Sequence, residues 1–188
     1  MAEEVGSPYN AILPAMFVGF GGGINSWGTI CGSLVAPVAL ISGVVADKDV
    51  RGQMLEELMA WYIQFPFPEY QPSQLNLPRV AVGSTLCHIS VSTWCNSEGA
   101  CVAASSKEKK ERCAGLSADV AKKTVQMLDD YMDTGTFVAV HKPNPVVAEC
   151  MSCHADNPPF TQTKENCMNC HGSNLINIEE CEPHKGMF

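Results

Sequence analysis

The stretch "CMSCHADNPPFTQTKENCMNCH", residues 150–171, sets down the pattern Cys-x-x-Cys-His twice, with 12 residues between the copies. Its reading decides how the end of the chain is organised, because the residues around it cannot organise themselves. After Gly135 the sequence is punctuated by Pro143, Pro145, Pro158, Pro159 and Pro183, has little hydrophobic periodicity, and holds five of the ten cysteines. Such a segment buries too little apolar surface to offset the entropy lost on ordering it. Something other than side-chain burial must hold it.

In Cys-x-x-Cys-His, two thiols one helical turn apart can add to the two vinyl groups of a haem, and the next imidazole can bind the iron. Cys150, Cys153 and His154 form one such unit, and Cys167, Cys170 and His171 form the other. The expectation is two covalently bound haems c, whose flat apolar faces supply the core that residues 136–188 lack. The short link keeps the haems close enough to exchange electrons without a carrier. Zinc competes for the same residues, since two Cys-x-x-Cys pairs parted by 13 residues also describe a four-thiolate tetrahedron. A pair of disulfides is a third possibility. The histidines favour haem: with five in 188 residues, one after each pair by accident is on the order of one in 1,500, and zinc does not need the repetition.

A haem with one histidine needs a second axial ligand or an open position for chemistry. His141, nine residues before Cys150, and His184, in "CEPHKG", lie in the same segment and are the expected sixth ligands; His88, beside Cys87, is the reserve. Three spare histidines suffice to close both irons. That count favours an electron-transfer protein over the alternative, a multihaem redox enzyme reducing a small nitrogen or sulfur compound. Covalent haem attachment takes place outside the bacterial cytoplasm, so the expected location is periplasmic. The start "MAEEVGSPYN" has neither the positive n-region nor the cleavage site of a secretory signal, which implies a leader absent from this numbering.

The remaining residues, 1–135, read as a helical domain, making the chain mostly α with a largely irregular dihaem segment over 136–188. From Val5 to Ala46 there is no charged residue. Pro14, Pro37 and the glycines at 19 and 21–23 break that run, so it reads as a buried helix over 27–45 rather than a membrane span. Asp47 or Asp49 caps a second helix with the stripe Val50, Met54, Leu58, Trp61, Tyr62 and Phe65, ended by "FPFPEYQP". Residues 79–94 suit either a strand or a helix, and are read here as helix. "SSKEKKER" opens the longest helix, with Val120, Thr124, Val125, Leu128, Tyr131 and Met132 as its stripe and Gly135 as its stop. A net charge of -8, from 12 Lys+Arg against 20 Asp+Glu, leaves no basic stripe for nucleic acid. Basic redox proteins suit it better as partners.

Six cysteines stand outside the haem motifs: Cys31, Cys87, Cys95, Cys101, Cys113 and Cys181. Four of them, Cys87, Cys95, Cys101 and Cys113, fall within 27 residues, and thiolates so grouped can hold an iron–sulfur cluster or another non-haem iron centre. Disulfides explain the same grouping. For Cys31 a plain buried thiol is the simpler reading.

The segments "GFGGGINSWGTICGSLVAPVALISGVV" and "ERCAGLSADVAKKTVQMLDDY", with the paired "CMSCH" and "CMNCH", resemble the split-Soret cytochromes c. These are dihaem proteins of anaerobic bacteria that join a helical domain of the broader C-GCA-xx-G-C-C type to a tail with two haem motifs. The resemblance implies a homodimer with four haems gathered at one end and bis-histidine coordination in which a ligand crosses between subunits. It also implies an additional iron centre bound by cysteines, with Cys31, Cys87 and Cys113 as its first ligands and Cys95 or Cys101 as helpers. One departure stands out: the broader pattern begins with cysteines ahead of the Gly-rich stretch, and here none precedes Cys31.

Overall fold

The computed structural model of the chain describes residues 6, 7, 9–73, 75–157 and 160–171, the last two by backbone alone. Four helices form the body. The first, α1, spans Gly32–Val44 and not the whole of 27–45. Ahead of it run two 3₁₀ turns, Tyr9–Ala11 and Pro14–Phe20, and then a coil in which Gly22, Gly23, Ile24, Asn25, Ser26 and Gly28 all take positive φ. Left-handed residues cannot continue a right-handed helix, so the apolar run becomes helical only after the positive-φ residues end at Gly28. Within the chain only Leu34 and Ile41 of α1 are fully buried. The expectation of a helix enclosed on all sides is therefore not met by this chain alone.

Helix α2, Lys48–Gln64, starts at Asp47, whose carboxylate accepts from the Asp49 and Val50 amides at 2.9 Å each. It buries Met54, Leu58, Trp61 and Tyr62, as its spacing predicts. Trp61, Phe65 and Phe67 then gather with ring centroids 4.8–5.3 Å apart, favourable contacts beyond simple burial.

Residues 79–86 are not helical: they form a bent segment that is bridged at Val80 and Leu86 and turns at Gly83, where φ is 71°. Phe67 and Val80 exchange amide hydrogen bonds of 3.1 and 2.9 Å, and Ile30 pairs antiparallel with Leu86. Here period-two burial wins over helical spacing, with Val82 buried and Ala81 exposed. Only after the Ser84 hydroxyl accepts from Leu86 N, at 3.1 Å, does the short helix α3, Cys87–Cys95, begin.

Helix α4, Lys107–Thr134, is capped by Ser106, which accepts from Lys109 N at 3.1 Å, and it stops at Gly135 with φ 69°. It lies across α1 and α2. Its buried stripe is Arg112, Leu116, Val120, Thr124, Met127 and Leu128, while Val125 and Met132, expected in the core, are 52% and 69% exposed. At 100° per residue those two positions fall one step outside the stripe. Among the described residues no helix is long and apolar enough to cross a membrane.

Where α4 meets the loop after α2, Gly115 is required. A Cβ there would lie 2.3 Å from Tyr70 O and 2.8 Å from Pro68 Cβ. The same loop is held by Asp119, which accepts from Glu69 N at 2.7 Å and Tyr70 N at 3.0 Å. Gly115→Ala should destabilise the protein by about 1–3 kcal/mol through overpacking, read as a lower denaturant midpoint at unchanged slope.

Candidate functional site

The pairing of Ile30 with Leu86 brings two cysteines together. Cys31 N donates to Thr85 O at 2.8 Å and Cys87 N donates to Thr29 O at 2.6 Å. Cys31 is the N-cap of α1, and Cys87 is the first residue of α3. Both thiols therefore stand at helix N-termini, where the dipole favours the thiolate. The Cys31 pKa is pulled down to about 5, first by the hydrogen bond from the Cys87 thiol, which outweighs burial, and then by Tyr62 and Ser33. The bond to Cys31, followed by burial, pushes Cys87 up. The pair is a thiolate held by a thiol.

Cys113, on α4, is close enough to add to the rise of Cys87, while Cys95 is raised first by burial and further by Cys113. Cys95 is buried, and Cys101 is exposed with φ 45° on the loop after α3. Among the described residues no three Cys, His, Asp or Glu side chains converge as a ready metal-ligand set. The structure thus joins Cys31 to Cys87, keeps Cys113 and Cys95 nearby, and leaves Cys101 outside.

Beside these thiols lies a buried cation that sequence reasoning missed. Arg112 is 1% exposed; its Nη2 donates to Ser90 Oγ at 3.0 Å and its Nη1 lies 4.0 Å from Cys113 Sγ. Its Nε has no hydrogen-bond partner, and none of the ion pairs among the described residues includes it. Ser90 in turn meets the Tyr62 hydroxyl at 3.2 Å. A continuous polar line therefore runs from Arg112 through Ser90 and Tyr62 to Cys31.

The tail lies against the helical body. Among the described residues of 136–169, Val147 is the one buried side chain, so polar clamps do the docking. Gln64 Nε2 donates to Lys142 O at 2.8 Å, Thr85 N donates to Glu165 Oε1 at 2.7 Å with the Thr85 hydroxyl on the same oxygen, and Asn169 Nδ2 donates to Gly83 O at 2.6 Å. Between α2 and the tail opens a cleft of about 390 Å³ with Leu55, Met59 and Ile63 on its helical wall.

Helix α5, Pro145–His154, has Asn144 as N-cap and Pro145 at its first position, both suited to helix starts. Cys150, Cys153 and His154 occupy its end at i, i+3 and i+4, on one face. Helix α6, Met168–His171, carries the end of the second motif. Cys150 and Cys167 lie within hydrogen-bond reach; burial first, and then Cys167, raises the Cys150 thiol. The first unit presents the donors a covalent haem takes, paired thiols one turn apart with an imidazole next in line, and its first cysteine adjoins the first cysteine of the second unit. The side chains of Cys170 and His171, and all of Cys181 and His184, lie outside the described residues.

His141 and His88 are both held at Nδ1. His141 Nδ1 is 2.8 Å from Glu57 Oε1, and His88 Nδ1 is 3.0 Å from Gly28 O. Gly28 permits the second contact, because a Cβ there would come 2.8 Å from His88 Cβ. A proton on Nδ1 leaves Nε2 as the metal-binding atom. Glu57 itself is drawn down to about 2; burial opposes this, and Lys123, then His141 and Val140, outweigh it by hydrogen bonding.

Residues 1–127 match the family described as "Putative redox-active protein (C_GCAxxG_C_C)". The chain belongs to the C_GCAxxG_C_C family. The family match ends before the haem motifs, and a relative extends it: the chain is 35% identical over 181 residues to "Split-Soret cytochrome c" from Desulfovibrio desulfuricans, covering 91% of this chain and 64% of the relative. It thus spans less than two thirds of that protein's length. A solved structure described as "A novel iron centre in the split-Soret cytochrome c from Desulfovibrio desulfuricans ATCC 27774" superposes with a TM-score of 0.82 at 34% identity, over 92% of this chain and 75% of the other. This member of the C_GCAxxG_C_C family shares that mostly helical fold. Its Cys31, Cys87 and Cys113 all lie within the family match.

Proposed function

We propose that this chain is an electron-transfer protein carrying two covalently attached haems c, one on Cys150, Cys153 and His154 and one on Cys167, Cys170 and His171. The observation that carries the reading is the doubled motif with its first cysteines brought side by side. The likeness to a split-Soret cytochrome c supports it. His141 and His184 serve as sixth ligands, with His88 in reserve, and at least one of them crosses a dimer interface. Closed, low-spin irons pass single electrons and bind no substrate, which is why the carrier reading is preferred to that of an enzyme. Location in the periplasm and basic redox partners follow from the same haem chemistry and the net charge.

A homodimer is supported by the apolar surface left on one chain. Leu13, Met16, Val18 and Trp27 are 60%, 64%, 77% and 82% exposed, and α1 behind them is only half covered. The non-haem iron centre belongs at Cys31, Cys87 and Cys113, with Cys95 nearest as a helper. Its support is the preformed pairing of Cys31 with Cys87 and the buried Arg112, a positive charge waiting for a negative one.

One absorption spectrum tests the central claim. The purified protein should show low-spin haem without a high-spin component, and iron analysis of oxygen-free protein should exceed two atoms per chain. A colourless protein containing zinc would overturn the haem reading, and iron equal to the haem content would remove the third centre.

A further inference from the structure

Glu57 occupies a core position of α2, three residues from Met54 and four from Trp61, and is 1% exposed. A carboxylate there is tolerated only when its charge is fully compensated. Four donors do this. Oε2 accepts from the Val140 amide at 2.7 Å and the His141 amide at 2.6 Å, while Oε1 takes Lys123 Nζ and His141 Nδ1, each at 2.8 Å. Amides and an ammonium only donate, so Glu57 is ionised and His141 Nδ1 carries a proton. His141 is gripped at its backbone and at its ring by one side chain. Its Nε2 makes no hydrogen bond among the described residues, and its side chain stays 31% exposed.

We propose that Glu57 is a positioning residue for haem ligation: it fixes the His141 ring in the Nδ1–H tautomer and presents Nε2 to the iron. The inference rests on the reading of His141 as a sixth ligand and goes beyond it. A bare imidazole on an irregular segment could rotate or ligate by either nitrogen; this one can do neither while the Glu57 clamp holds. The carboxylate also pushes electron density into the ring, which favours ferric over ferrous iron. Lys123 shares the same oxygen and moderates that push without removing it.

The sharpest test is Glu57→Gln. The two amide donors at residues 140 and 141 hold the glutamine carbonyl in the place of Oε2, so its NH₂ group faces the Nδ1–H, donor against donor. The expected result is one haem turned high-spin in a protein that keeps both haems and its helical circular dichroism. In Glu57→Ala the Nδ1–H turns to water instead, low-spin haem persists, and one midpoint potential rises by about 59 mV, the one-electron equivalent of a tenfold weaker preference for ferric iron. His141→Ala is the reference, expected to give one high-spin haem. If it leaves both haems low-spin, His141 is no ligand and the reading beneath falls together with this one. If it gives high-spin haem while both Glu57 variants keep the parent spectrum and potentials, His141 is the ligand and the role of Glu57 is overturned. Should Glu57→Gln fail to fold, the potential of Glu57→Ala decides alone.

Discussion

Replacing Cys150 and Cys153 together by alanine should leave a chain with one covalent haem, and the same change at Cys167 and Cys170 should remove the other. Thioether bonds survive denaturation, so mass spectrometry of the unfolded protein should show polypeptide plus two haems for the parent, plus one for each double variant, and none for the variant with all four changes. A parent mass equal to the bare polypeptide would sink the proposal. The fold should respond unevenly. Residues 136–169 bury only Val147 among those described and are docked mainly by polar contacts, with the Glu57 clamp on Val140 and His141 and the half-buried Phe137 at their start, so without haem they lose the apolar faces that order the rest. Limited proteolysis of the four-cysteine variant should trim the chain after about residue 135 and spare the helices, whose core of Leu34, Leu58, Trp61, Trp94 and Val120 lies wholly ahead of it. Equal protection of both parts would mean that the tail has a packing of its own.

Much of this was legible in the sequence, and for particular reasons. Asp47 and Gly135 act at helix ends through their own backbone and side-chain chemistry, which needs no knowledge of the rest of the fold. The stripe on α2 could be read because its period is helical and unbroken. What escaped was whatever depended on a distant partner. Val80 and Leu86 are drawn out of a helix because Phe67 and Ile30 are there to pair with them; local spacing alone cannot say so. The Cys31–Cys87 contact follows from the same pairing and was implied by resemblance, not by spacing. Arg112 was hidden in the charge run "SSKEKKER", every other position of which is at least partly exposed. A signal was present: Arg112 stands four residues before Leu116 and eight before Val120, on the buried stripe. Glu57 carried the same kind of mark, a charge among Met54, Leu58 and Trp61. A charged residue at a core position of a helix asks for a counter-charge, and both of these stand beside residues proposed above to bind iron.

That reasoning makes Arg112→Met the most informative change in the helical body. A guanidinium buried to 1% exposure with no carboxylate partner among the described residues is costly in the metal-free protein. Methionine fills similar space without a charge, and Ser90 keeps its bond to Tyr62 at 3.2 Å, so no hydroxyl is stranded. Freed of that burden, the iron-free helical body should be as stable as the parent or more stable by up to about 4 kcal/mol. The loaded protein should behave in the opposite way. Three thiolates around ferrous iron leave one net negative charge at the end of the Tyr62 and Ser90 line, and the cation 4.0 Å from Cys113 Sγ is placed to balance it. Its loss should weaken retention of non-haem iron at least tenfold, about 1.4 kcal/mol, while both haems stay in place. The measurement is a pair of unfolding curves, with and without non-haem iron, alongside iron counted per haem during dialysis against a chelator. A variant that holds its iron like the parent shows that the thiolates do not need Arg112. One that is destabilised equally in both forms shows the arginine to be a structural donor to Ser90. Opposite signs in the two forms are the signature of a charge placed for the metal centre rather than for the fold.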